Sequence, residues 1–213
     1  MLNHTLRYNK PFYLMPLLAL LPFFATGAQA QNATGEISSA YSKLDLDECR
    51  QLTRSELGLP ELTEEEMGVA GGRWLCAGYN NSIVYAAEGD LRMFVSYGAN
   101  AMNERAAEQT LPAFNFVGDT IEWRVQKVNG TWVPFATILR WHTESGDMAQ
   151  DKGEVLVVTK LEPGNTCHVA YIDAKMPVLA NPKLNANEIA RQFADNEVAG
   201  FDCQTDDILL YPS

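Results

Sequence analysis

The strongest constraint on the fold is DTIEWRVQKV, residues 119–128, where Ile121, Trp123 and Val125 alternate with Glu122, Arg124 and Gln126. A period of two marks a strand with one buried and one wet face. Asn129-Gly130 follows, and because both central residues of a tight hairpin turn need positive φ, this pair signals an immediate return of the chain. The returning strand is TWVPFATILRW. Regular pairing across a two-residue turn would put Phe135, Leu139 and Trp141 beside Glu122 and Arg124, wasting three large apolar groups. A one-residue bulge at Pro134 moves Phe135, Thr137, Leu139 and Trp141 to the face of Ile121, Trp123 and Val125. Ile138, Arg140 and His142 then take the other face, with His142 on the wet side.

Further strands are expected at RWLCAGY, SIVYAA and LRMFVSYG, divided by the turn signals NN and EGD, and at GEVLVVTKL and TCHVAYIDA, joined by EPGN. Two segments read as helix. LDLDECRQLTRSELG, residues 44–58, ends at a glycine; near the C-terminus Asn185 and Glu188 have capping-box spacing, Gly200 follows the end, and Ile189, Ala190, Phe193 and Ala194 form an apolar stripe. The expected fold is mainly β, with α+β as the alternative: an antiparallel meander of about seven or eight strands forming a sandwich or partial barrel, flanked by two helices.

Residues 1–30 carry Arg7 and Lys10, a short apolar run broken by Pro16 and Pro22, and an A-x-A site ending at Ala30. That layout belongs to a bacterial signal peptide rather than a membrane span. Residues 31–43 are small and polar and read as a flexible leader, leaving residues 44–213 as a single β-rich domain. Removing the leader's two cations takes the formal charge from -11 to -13. Such a field opposes nucleic acid and anionic lipid and favours a basic partner.

Four cysteines in an exported chain imply disulfides. Of the three possible pairings, Cys49 with Cys76 and Cys167 with Cys203 are favoured, because each ties a helix-like segment to a neighbouring strand. No C-x-x-C spacing suggests zinc or redox chemistry, and no cofactor is implied.

Candidate chemistry is sparse. His142 with Glu144 and Asp147 has the composition of a base with an orienting carboxylate, although an exposed histidine at a loop mouth is the commoner outcome. His168, the other histidine beyond the leader, falls about five strand positions away, roughly 17 Å at ~3.3 Å per residue, so the two cannot share a metal. The acids of TESGDMAQDKGE lack EF-hand spacing and read as a solvated hairpin tip. Glu64, Glu65 and Glu66 offer an electrostatic contact for a basic protein. Trp74, Tyr79, Tyr85, Tyr97 and Trp132 are more often core than sugar platforms; Trp132, beside the Asn-Gly turn, is the hardest to bury.

VYAAEGDLRMFVSYG, TIEWRV, PFATILRWHT, CHVAYIDA and NEIARQFAD resemble segments of a group of exported alphaproteobacterial proteins with no assigned function. The resemblance implies a periplasmic or secreted address and transfers no catalytic residue. At the level of class the chain is also similar to periplasmic lysozyme inhibitors, which are small, exported, disulfide-bonded β-proteins. The leading expectation is a non-catalytic binding or interaction module engaging a basic protein through its acidic surface, or an envelope glycan. The alternatives are a hydrolase of envelope polymers using carboxylates and His142, and a structural envelope protein without a pocket.

Overall fold

The computed structural model describes residues 35–63, 65, 71–144, 152–175 and 184–212. The proposed signal peptide, Glu64, Glu66 and Asp147 lie outside them.

The described residues build ten strands in two open sheets. In chain order they are β1 (Ile37–Lys43), β2 (Arg50–Gln51), β3 (Arg73–Ala77), β4 (Ile83–Gly89), β5 (Arg92–Tyr97), β6 (Phe114–Val128), β7 (Thr131–Glu144), β8 (Gly153–Lys160), β9 (Cys167–Asp173) and β10 (Leu209–Tyr211). The larger sheet has the order β1-β6-β7-β8-β9-β10 and the smaller the order β2-β3-β4-β5. All pairings are antiparallel except β9 with β10. One α-helix, α1 (Ala186–Asn196), packs on the outer face of the larger sheet. The fold is mainly β, as expected, but among the described residues the strands number ten, neither sheet is closed, and there is one α-helix with several single 3-10 turns.

Two main apolar layers result, beside a small third cluster of Tyr85, Ala87 and Ala101. Between the sheets, Val84, Ala86, Val95 and Tyr97 meet Ile121, Trp123, Leu139 and Trp141. Outside the larger sheet, Ile138, Leu156, Val158 and Ile172 meet Ile189, Ala190 and Ala194 of α1. The helix begins where its sequence signals place it: the Asn185 side chain accepts from the Glu188 amide, and the Glu188 carboxylate accepts from the Asn185 amide.

The expected hairpin forms. Asn129 and Gly130 have φ of 50° and 82° and connect β6 to β7 directly. Trp123 pairs with Thr137 and Ile121 with Leu139, while Arg124 pairs with Ala136 and Val125 with Pro134. The bulge is therefore present, with Phe135 as its extra residue. That inserted residue does not join Trp123; it packs with the layer beneath α1. A second irregularity lies between Val117 and Ile121, where Gly118, Asp119 and Thr120 stand opposite Arg140 alone.

Two further expectations fail. Residues 37–43 form edge strand β1, paired along its length with β6, rather than part of a loose leader. Residues 44–58 are not a helix: they form a 3-10 turn at Leu46–Glu48, the short β2 and a turn. Leu44 enters the core, Cys49 is bonded to Cys76, and Arg50 and Gln51 pair with Leu75 and Trp74. These long-range bonds override a weak local helix preference.

The disulfides are Cys49–Cys76 and Cys167–Cys203, with Cα separations of 4.6 and 5.7 Å. They indicate an oxidising, non-cytoplasmic compartment. Among the described residues no helix is long and apolar enough to cross a membrane.

Candidate functional site

Above the outer face of the larger sheet, beside α1, lies an open cleft of about 650 Å³. Its floor is made by Glu122 of β6 and by Ile138 and Arg140 of β7. Asn187 and Arg191 of α1 form one wall, and Tyr41 of β1 stands at the rim. The opposite wall is the β6 irregularity at Gly118–Thr120 together with Phe116 and His142. Gly118 permits this wall to lie close to β7, since a Cβ there would stand 3.1 Å from the Arg140 carbonyl oxygen.

Glu122 and Arg124 are not on a wet face. Both are buried, at 8 % and 7 % exposure, because α1 covers them, and burial of charge requires partners. Arg124 donates through Nε and Nη2 to the two carboxylate oxygens of Asp195, at 2.8 and 2.6 Å. Its Nη1 donates to Ser39 Oγ, which donates to Glu122 Oε1 at 2.6 Å. Arg191 completes the chain by donating to Glu122 through Nε at 2.6 Å and Nη2 at 3.0 Å. Hydrogen bonding to Glu122 pushes the Arg191 pKa still further up, so the guanidinium stays charged. On the other side, Arg140 donates to Glu154 at 2.7 Å and to the Asn187 side-chain oxygen at 3.2 Å.

His142 lines the cleft, half-buried, and stacks on Phe116, its direct cross-strand partner, with ring centroids 4.8 Å apart and an interplanar angle of 20°. Among the described residues it makes no hydrogen bond to a carboxylate. Beyond it a smaller depression of about 110 Å³ is bounded by Glu144, Lys152, Glu154 and Lys175. Glu144 is exposed and lies 3.6 Å from Lys152.

His168 is elsewhere. It pairs with Thr159 of β8, whereas His142 pairs with Glu154, five positions along the same strand. Its ring is buried against Trp141, and Nδ1 meets the Tyr171 hydroxyl at 2.9 Å. Burial pushes its pKa down to about 4, against a smaller opposing contribution from the Val95 backbone.

Of the aromatic residues considered for a sugar face, Tyr85 and Tyr97 are buried, and Trp74, Tyr79 and Trp132 pack against the inter-sheet core. Trp132 also lies beneath Lys127, whose Nζ is 5.4 Å from the ring centroid. Glu65 is exposed and takes no part in the cleft. The sequence reading missed Tyr41, Phe116, Asn187 and Arg191. The available signal was FNFVG before Asp119: β6 starts at Phe114 and runs through the irregularity instead of beginning after it.

No family model, curated protein or solved structure matches the chain, so the functional reading rests on this geometry.

Proposed function

We propose that the protein is a non-catalytic binding module of the periplasm or the extracellular medium, and that the cleft receives its ligand. The supporting observation is the state of the cleft's charges. Glu122 is engaged by Ser39 and Arg191, and Arg140 by Glu154. Groups held in mutual ion pairs suit recognition better than proton transfer, which needs an acid or base aimed at the reacting atom. A pre-formed cleft also favours binding over a purely structural envelope role. The net negative charge adds long-range attraction for a basic protein, as a second contact outside the cleft.

The envelope-polymer hydrolase has one observation in its favour: His142 shares the cleft with Asp119 and Glu122. Its stacking on Phe116 places a ring, not a carboxylate, beside it.

The test is equilibrium binding of the oxidised mature protein to purified cell-wall polymer and to a lysine-rich basic protein, at low and high salt, with the polymer assayed for cleavage. Binding without cleavage is expected, and high salt should release only the basic protein. Cleavage abolished by His142→Ala would establish the hydrolase instead. Absence of binding to either probe would leave the structural role.

A further inference from the structure

Resting on the cleft as the binding site, we infer that its ligand is a neutral oligosaccharide, a chain of uncharged pyranose units laid across the Phe116–His142 pair. Three observations converge on this chemistry. The first is exposed aromatic surface in a polar cleft. Tyr41 is 57 % exposed and Phe116 51 % exposed, and both line the cleft. Neither serves the core, whereas the aromatic residues first considered for a sugar platform do. A ring with one open apolar face is what the C–H face of a pyranose packs against, while the sugar's hydroxyls demand planar hydrogen-bonding groups at the edges. Asn187, Asp119 and Arg191 line the same cleft and supply such groups.

The second observation is charge. Arg191 is neutralised by Glu122 and Arg140 by Glu154, leaving Asp119 as the cleft's remaining formal charge. Among the described residues of the main cleft an anionic ligand would find no uncompensated cation, and a strongly basic peptide only one carboxylate. An uncharged ligand rich in hydroxyls meets no such mismatch, since it exchanges hydrogen bonds with water for hydrogen bonds with paired polar groups.

The third is shape. The main cleft, at about 650 Å³, and the smaller depression, at about 110 Å³, are both lined by Phe116 and His142. The stacked pair thus borders both depressions. A single compact ligand would occupy one of them; an oligomer can rest a ring on Phe116 and continue into both. The smaller depression, with Lys152 and Lys175 among Glu144 and Glu154, would receive the end of the chain.

The probes are hexamers of β-1,4-linked N-acetylglucosamine and of glucose, the corresponding monosaccharides, hexalysine and inorganic phosphate. Each is titrated into the oxidised mature protein by calorimetry and by NMR with assigned cleft resonances. The proposal expects at least one hexamer to bind, to outcompete its monosaccharide by tenfold or more, and to be insensitive to salt. Binding should shift Tyr41 and Phe116, and both Tyr41→Ala and Phe116→Ala should weaken it at least tenfold. Because these two side chains are half exposed, the variants are expected to keep the wild-type unfolding midpoint. Two independent sites guard against a folding artefact in either. Hexamer binding that survives both variants, or failure of both hexamers, overturns the proposal. If hexalysine or phosphate shifts the cleft resonances while neither hexamer does, the glycan inference falls and the cleft remains a binding site. If no probe shifts them, the cleft reading falls as well.

Discussion

Removing the Cys167–Cys203 bond should destabilise the domain by about 4 kcal/mol. The bond closes a loop with a sequence separation of 36 residues; the chain-closure relation gives an entropy of about 13 cal/mol/K, or roughly 3.8 kcal/mol at 25 °C. Native contacts change little when it is lost. Arg105 donates to the Cys203 carbonyl, Lys160 Nζ donates to the Phe201 carbonyl at 2.8 Å, and Phe201 is buried beneath the larger sheet. The segment therefore stays docked, and the effect falls on the unfolded chain. Residues 34–213 form one compact unit, for which an unfolding entropy of ~2 cal/mol/K per residue converts the loss into a fall in Tm of about 10 °C. The assay is urea and thermal unfolding of Cys167→Ala/Cys203→Ala, beside Cys49→Ala/Cys76→Ala as a control whose separation of 27 residues gives roughly 3.5 kcal/mol. A cost below about 1 kcal/mol for the first double variant would refute the closure argument. A non-reduced peptide map joining Cys49 to Cys167 would refute the pairing.

Acid should weaken the fold through His168. Its folded pKa of about 4 lies below the ordinary value of 6.5, so the unfolded chain binds the proton more readily. The contribution is complete above pH 6.5 and is lost as pH falls towards 4, by about 3 kcal/mol in total. Urea midpoints measured across that window should fall in the wild type and lose this slope in His168→Gln; an unchanged slope would contradict the assignment. Asp195→Ala leaves buried Arg124 without its bidentate partner, with Glu122 3.8 Å away, and should cost about 3 kcal/mol. Adding Arg124→Met should recover part of that loss by chemical denaturation, and strict additivity of the two changes would show that the pair is not coupled.

What could be read from the sequence was what neighbouring residues decide. The Asn129-Gly130 turn, the Asn185–Glu188 cap and the apolar period of β6 each depend on a few consecutive side chains. The disulfide pairing was also legible, although its helix-to-strand rationale fails for Cys49, which lies between a 3-10 turn and the short β2. The covered face of β6 was not. Glu122 and Arg124 alternate with apolar residues as a solvated face would, but their partners Arg191 and Asp195 come from a helix about 70 positions later. Polar alternation indicates that a face needs hydrogen-bonding partners and does not say whether water supplies them. Tyr41 and Phe116 were hidden for a similar reason: a lone exposed aromatic has no period, and only the approach of β1, the irregular part of β6 and α1 makes a site around it.

The β6 irregularity offers the sharpest separation of site from scaffold. Between Val117 and Ile121 lie three residues, opposite one on β7, so removing two leaves the alternation of faces intact. In a chain lacking Asp119 and Thr120, Gly118 would stand opposite Arg140, and Val117 and Ile121 would still point into the inter-sheet core, where both pack now. The identifiable losses are the pairing of Lys43 with Thr120 at the end of β1 and the hydrogen bond from the Leu44 amide to the Asp119 carbonyl, 2.8 Å long, each worth about 1 kcal/mol. The cleft, by contrast, would lose Asp119 and Thr120 from the wall that Phe116 and His142 complete. The deletion is expected to unfold within about 2 kcal/mol of wild type by urea titration and to abolish ligand binding. Folding with binding intact would place the ligand elsewhere on the molecule. A collapse of stability would mean that the irregularity is a structural necessity of the hairpin, so that core and cleft cannot be varied separately.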